Sequence, residues 1–281
     1  MAKTTTVGFV IIGLFAVTGT SHADQMNMTF GATGVYGEFV HFTYNPVADG
    51  NPSKINGSTT AGKFGWTVEA GEGPVSFGGR SFNDGDQFST FCTELTEFIS
   101  PGSTYTYYSS AIEDMPSYGQ IGAPMMAFRA GLLQELFDNH YADATNGISD
   151  TIYSDTVEAA AFQVAVWEIV YEDRLLEVNS GGGTPLSVAL NVGADNSGLN
   201  SFVISQNALV VALADEWLDA LNGDVVAGNT LMGFASDSSE SLASQDQVAY
   251  FVPLPAPVWM AGMGLLGIII GRKRLRRIAA G

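Results

Sequence analysis

Aromatic and β-branched residues recur in short runs between polar ones through the first third of the chain, and turn-forming residues separate the runs. From Met26 to about Thr90 this pattern predicts strands at Val35–Tyr44, Phe64–Glu69, Val75–Phe77 and Gln87–Leu95. Asp49-Gly-Asn-Pro and Gly71-Glu-Gly-Pro supply breaks between them. Thr104–Tyr108 extends the sheet. The period then changes. Pro124 opens a helix over Met125–Tyr141, and Glu158–Glu172 is the longest clean helical run, with Asp155 or Thr156 as its expected N-cap. A third helix is expected over Ala208–Leu221, capped by Ser205 or Asn207, before strands at Thr230–Ala235 and Gln245–Val252 close the sheet. The expected class is α+β: an antiparallel β-sandwich-like framework with an inserted three-helix region.

Two apolar runs lie outside that body. Lys3, the run Val7–Val17 and Ser21-His22-Ala23 have the order of a secretory signal peptide, which assigns residues 1–23 to export. At the other end Val252, Pro253, Leu254, Pro255 and Ala256 precede an apolar run from Val258 to Ile270, expected as a single hydrophobic helix. Arg272, Lys273, Arg274, Arg276 and Arg277 follow it. That basic tail is expected to stay cytoplasmic while the inner membrane holds the run. The chain thus divides into a signal peptide (1–23), an exported body (24–250) and a C-terminal segment (251–281). The C-terminal segment resembles the PEP-CTERM sorting signal in its VPLPA form, found on exported proteins of Gram-negative bacteria. The resemblance implies cleavage by an exosortase-type membrane protease and a destination at the cell surface or in the extracellular matrix.

Charge narrows the partners. All 29 acidic residues lie between positions 24 and 250, opposed there by Lys54, Lys63, Arg80, Arg129 and Arg174, which leaves the body near −24. Nucleic acid is excluded as a partner, because binding its phosphates needs a basic surface. The charge fits a soluble extracellular protein; an extracellular polysaccharide is a candidate partner, with Tyr105, Tyr107 and Tyr108 as candidate stacking surfaces in the glycan-binding alternative.

The candidate chemistry centres on Cys92, the one cysteine of the chain. Such a residue is commonly a small buried hydrophobe. A cysteine hydrolase would need a base such as His140 or His41. No Cys or His pair has metal-ligand spacing, and no cofactor motif is present. Asn83-Asp84-Gly85-Asp86 reads as a β-turn, with Ca²⁺ ligation as the alternative.

Phe91-Cys92-Thr93, followed by Phe162-Gln163-Val164-Ala165-Val166-Trp167, resembles the thioester domains of bacterial surface adhesins. The resemblance spans residues 88 to 173, and Thr93 departs from the apolar residue usual after the cysteine. It implies an internal thioester between the Cys92 sulfur and the Gln163 acyl group, shielded by Phe91, Phe162, Val166 and Trp167. Opening by a surface amine or hydroxyl would be one-shot attachment, so no enzymatic turnover is expected. By residue pattern alone, Phe162, Val166, Ile169 and Val170 form a core stripe and Gln163 is its polar neighbour. An inert cysteine in a non-covalent glycan-binding or structural matrix protein is the alternative.

Overall fold

The computed structural model describes residues 24–45, 55–71, 73–95, 97–117, 123–146, 155–172, 175, 190–193, 202–223, 231–236 and 244–251. The signal-peptide, sorting-motif and basic-tail assignments lie outside these residues. Among the described residues no helix is long and apolar enough to cross a membrane.

The class expected from the pattern, α+β, is what forms, but the framework is a closed barrel and not a two-layer sandwich. Strands β1 (Gln25–Phe30), β3 (Ile55–Val68), β6 (Gln87–Cys92), β7 (Thr104–Ser110), β11 (Leu231–Ser236) and β12 (Gln247–Tyr250) pair antiparallel in the cyclic order β1-β7-β11-β12-β6-β3. The pairing of β1 with β3, through Met28↔Val68 and Phe30↔Trp66, closes the ring. Closure leaves those strands no bare edge over the paired residues. Alternating side chains fill the interior: Met26, Met28, Phe30, Trp66, Tyr107 and Phe234 are all buried, with Trp66 edge-on to Tyr107 at 5.4 Å between ring centroids.

β3 belongs to two layers. Its second half lies in the barrel, while its first half pairs with β2 (Tyr36–Tyr44) from Lys63↔Tyr36 to Ile55↔Tyr44. β10 (Phe202–Ile204) adds to the far edge of β2. Gly37 and Gly62 face each other where β3 changes partners. A Cβ on Gly37 would sit 1.8 Å from the Ala61 carbonyl oxygen, so only glycine lets the strands approach this closely. Two short hairpins complete the β structure, β4 (Val75–Phe77) with β5 (Arg80–Phe82) and β8 (Pro116–Ser117) with β9 (Ala123–Pro124).

Three α-helices are present among the described residues: α1 (Met126–Asn146), α2 (Asp155–Tyr171) and α3 (Ala208–Asp219). Asn207 caps α3 as expected, its side chain accepting from the Val210 N–H. Thr156 does not cap α2; it lies inside the helix and donates its hydroxyl hydrogen bond to Glu38 on β2. Every residue of α2 from Val157 to Tyr171 is buried. A helix apolar on all sides needs neighbours on all sides. Here β2 and β3 cover one side, and α1 and α3 cover the others. α2 is the axis of the helical layer, and it lies against the barrel where β6 ends.

Candidate functional site

The pairing of β6 with β3 stops at Phe64↔Thr90. Continued register would set Cys92 opposite Gly62, but the strands part there. The Gln163 carboxamide takes the place of the missing strand. The Cys92 backbone N–H donates to Gln163 Oε1 at 2.9 Å, and Gln163 Nε2 donates to the Cys92 carbonyl at 2.7 Å. Both residues are fully buried. On the other edge Cys92 pairs with Gln247 of β12, and the neighbouring Thr93 N–H donates to the Asp246 carbonyl. The structure therefore brings Cys92 and Gln163, 71 positions apart, into a two-hydrogen-bond contact.

Helical spacing explains how α2 reaches this strand end. Gln163, Trp167 and Tyr171 recur every four residues on one stripe of the helix. Gln163 holds Cys92. Trp167 lines a cleft of about 140 Å³ together with Cys92. The Tyr171 hydroxyl accepts from the Leu95 N–H at 2.9 Å. The cleft opens along the split between β3 and β6, past Thr59, Thr60, Phe64 and Gln245, and Phe98 stands 73 % exposed at its rim.

The four residues expected to shield the thioester divide into two groups. Trp167 borders the cleft. Phe91 and Phe162 do not: strand alternation turns Phe91 away from Cys92, and it packs on Phe162 at 4.5 Å between ring centroids, with Phe137 at 4.8 Å from Phe162. Val166 is buried in α2 without bordering the cleft. Phe91 and Phe162 thus close the back of the site as core.

Burial dominates the electrostatics. It pushes the Cys92 thiol up to about 12, reinforced by the nearby Glu94 carboxylate and opposed by the Trp167 indole. The thiol donates to the Glu94 carbonyl at 3.4 Å. Beyond it lies a polar network that the sequence pattern did not reveal. The Glu94 carboxyl accepts from the Asp246 N–H at 2.8 Å, Gln245 Nε2 donates to the Glu94 carbonyl, and the Tyr107 hydroxyl donates to the Gln245 carbonyl. Thr90 Oγ1 donates to Gln247 Oε1 and accepts from the Trp66 indole, each at 2.7 Å. Desolvation, then the facing Asp246 carboxylate, raises Glu94 to about 8. Desolvation raises Asp246 to about 6.

Because both carboxyls bind protons more tightly folded than unfolded, their stability contribution is complete below about pH 4 and disappears as pH rises through about 6 and about 8. The urea midpoint is expected to fall between pH 5 and pH 9, by a free energy on the order of a few kcal/mol. Glu94→Gln keeps the acceptor for Asp246 and removes the charge, so its profile should be flatter above pH 6. A wild-type midpoint that rises over this range would contradict the assignment.

The other candidates have different places. His41, on the outer face of β2, is hydrogen-bonded to Ser58. His140 stacks on Trp217 at 4.9 Å, and burial lowers its pKa. Among the described residues neither hydrogen-bonds to Cys92, so no Cys–His pair forms. Asn83–Asp86 folds as a tight turn, with Gly85 at φ +81° and Asp84 accepting from the Ala70 N–H. Among the described residues no three His, Cys, Asp or Glu side chains converge as a metal site. Of the three expected stacking residues, Tyr105 and Tyr107 are buried and Tyr108 is half-buried, so the three do not form an exposed platform. Among the described residues the exposed aromatic rings are Tyr36, Phe39 and Phe98.

No protein-family model matches the chain, and no curated protein matches it in sequence. Among solved structures, the chain is similar to the N-terminal thioester domain of fibronectin-binding protein SfbI from Streptococcus pyogenes. The match has a TM-score of 0.34 and 12 % identity, over 78 % of this chain and 95 % of that one. A likeness this distant carries no argument, so the reading of the site rests on its own geometry.

Proposed function

We propose that this is an exported cell-surface or extracellular-matrix protein whose body forms an internal Cys92–Gln163 thioester and attaches covalently to a surface amine or hydroxyl. The observation that supports this reading is the Gln163 carboxamide held by both backbone polar groups of Cys92. That contact fixes the acyl carbon beside the residue whose sulfur attacks it.

In formation, Sγ bonds to Gln163 Cδ, the Cδ–Nε2 bond breaks, and the thiol proton leaves on ammonia. Oε1 already accepts from the Cys92 N–H, so negative charge developing on it meets a fixed donor. Burial then keeps water from the acyl group. In attachment, an amine or hydroxyl bonds to Cδ, the Cδ–Sγ bond breaks, and the nucleophile's proton passes to sulfur. Each chain reacts once. Sorting by an exosortase-type protease at Val252–Ala256, with the inner membrane as a temporary anchor, belongs to the same reading and rests on the sequence resemblance.

Intact mass tests the proposal. Protein purified without amines is expected about 17 Da below its sequence mass, the mass of the lost ammonia. Methylamine should shift that species upward, and Cys92→Ala should abolish it. A full-mass protein inert to methylamine would reject the thioester.

One observation favours a second reading, a non-covalent glycan-binding or structural matrix protein. Burial holds the Cys92 thiol neutral, with its pKa near 12, and the Gln163 contact serves equally as a clamp between α2 and β6. Its outcome in the same experiment is full mass with one intact thiol.

A further inference from the structure

Trp167 presents a buried donor without a hydrogen-bond partner of ordinary geometry among the described residues. Its indole is 1 % exposed, yet Nε1–H has no hydrogen-bond partner among the described residues. Such groups are rare, because a buried polar atom without a partner costs about 1–3 kcal/mol. Two further facts locate this one. Trp167 borders the same cleft as Cys92, and it stands one helical turn from Gln163 on the stripe of α2 that faces the strand end. A core tryptophan with no further role would be served as well by phenylalanine, which leaves no orphaned donor.

We propose that the Trp167 indole N–H is the donor that receives the Cys92 sulfur when it becomes a thiolate, as the thioester opens. This rests on the thioester reading of the site and adds to it a named leaving-group stabiliser. The nucleophile bonds to Gln163 Cδ and the Cδ–Sγ pair of electrons goes to sulfur. The indole hydrogen bond holds that charge until the nucleophile's proton arrives. The neutral thiol is a poor acceptor and donates instead to the Glu94 carbonyl, which leaves the indole without a partner among the described residues while the thiol is free. The indole also opposes the upward pull of burial on the thiol, in the sense expected of a donor that favours the charged form.

The division of labour follows from position. The Cys92 backbone N–H serves the oxygen of the acyl group, at 2.9 Å. The Trp167 N–H serves the sulfur. No other described cleft side chain is an N–H donor except Gln245, which is committed to the Glu94 carbonyl at 3.0 Å.

The test is Trp167→Phe in the full chain, which keeps an aromatic ring in the core and deletes only the donor-bearing part. Two rates are read: opening of the thioester by methylamine, followed by mass, and alkylation of the Cys92 thiol in protein already opened by methylamine. A hydrogen bond to a charged group predicts that both fall about 10- to 100-fold. Alkylation is measured with a small and a bulky neutral reagent. A lost thiolate stabiliser slows both equally, whereas altered access slows the bulky one more. Rates unchanged from wild type, or a loss confined to the bulky reagent, would overturn the proposal. If the wild type shows no thioester, the proposed function fails. Alkylation of its native thiol then still decides whether the indole serves the sulfur. Should Trp167→Phe not fold, Trp167→1-methyltryptophan, which blocks the N–H and keeps the indole, carries the same two readouts.

Discussion

Gln163→Ala is expected to yield a protein of full mass that methylamine leaves unchanged and that unfolds at a markedly lower urea concentration. The two losses have separate causes. The acyl group is gone, so no thioester can form. Relative to the amide form, which Cys92→Ala preserves, the Cys92 N–H and carbonyl, both in a fully buried setting, lose their partners at 2.9 and 2.7 Å. Each buried group left without a partner costs about 1–3 kcal/mol, and the vacated side-chain volume adds to that. A total of about 3–5 kcal/mol is expected. Cys92→Ala makes the comparison sharp. It removes the sulfur but keeps both backbone hydrogen bonds, so it should lose the chemistry and only about 1 kcal/mol of stability. If Gln163→Ala were as stable as Cys92→Ala, the strand-substituting role of the carboxamide would be wrong.

Arg129→Ala is expected to cost about as much without touching the site. Arg129 lies on α1, 3 % exposed, and its guanidinium reaches the C-terminal end of α2. There it donates to the carbonyls of Ile169 at 3.2 Å, of Val170, and of Glu172 at 3.0 Å. The last carbonyls of a helix have no partner within it, and the negative end of the helix dipole favours a cation. Alanine removes the charge, three donors and a packed stem together, for an expected loss of about 3–5 kcal/mol in urea or thermal unfolding. Arg129→Met refills most of the volume and should recover only a minor part. Arg129→Lys, with one ammonium in place of a planar fork, should fall between. A methionine variant as stable as wild type would show that packing, and not the carbonyl contacts, is what Arg129 contributes.

How much of this was legible in the sequence differs from element to element. α2 was, because residues 155–171 contain neither glycine nor proline and carry Asp155 and Glu158 in the first turn. α3 was also legible, through Asn207. β3 was read nine residues short. Its first half, Ile55-Asn-Gly-Ser-Thr-Thr-Ala-Gly-Lys, is mostly small and polar, and only pairing with β2 makes it a strand. Closure of the barrel left no trace in local pattern, since Met28↔Val68 and Cys92↔Gln247 are contacts between distant segments. β10 is three residues long and has no periodicity to detect. At the site, Cys92, Gln163 and Trp167 were reachable through a resemblance of short motifs. Phe91, Phe162 and Val166 came with them but lie outside the cleft. Glu94, Tyr171, Gln245 and Asp246 were not reachable, because each owes its role to a partner more than 70 positions away.

The place of β12 sets an order of events. It is the last described strand, and it separates β6 from β11 in the barrel, with Gln247 set against Cys92 across 155 positions. Until those residues arrive, the strand that carries the cysteine has one open edge, and the carboxyl of Glu94 lacks the Asp246 N–H. Contacts this distant are slow to form, because the loop they close must lose its freedom first. Completion of the site therefore depends on some of its most sequence-distant contacts. In the unfolded chain Cys92 and Gln163 are an ordinary thiol and an ordinary amide, and only folding brings them into the contact that the proposed thioester needs.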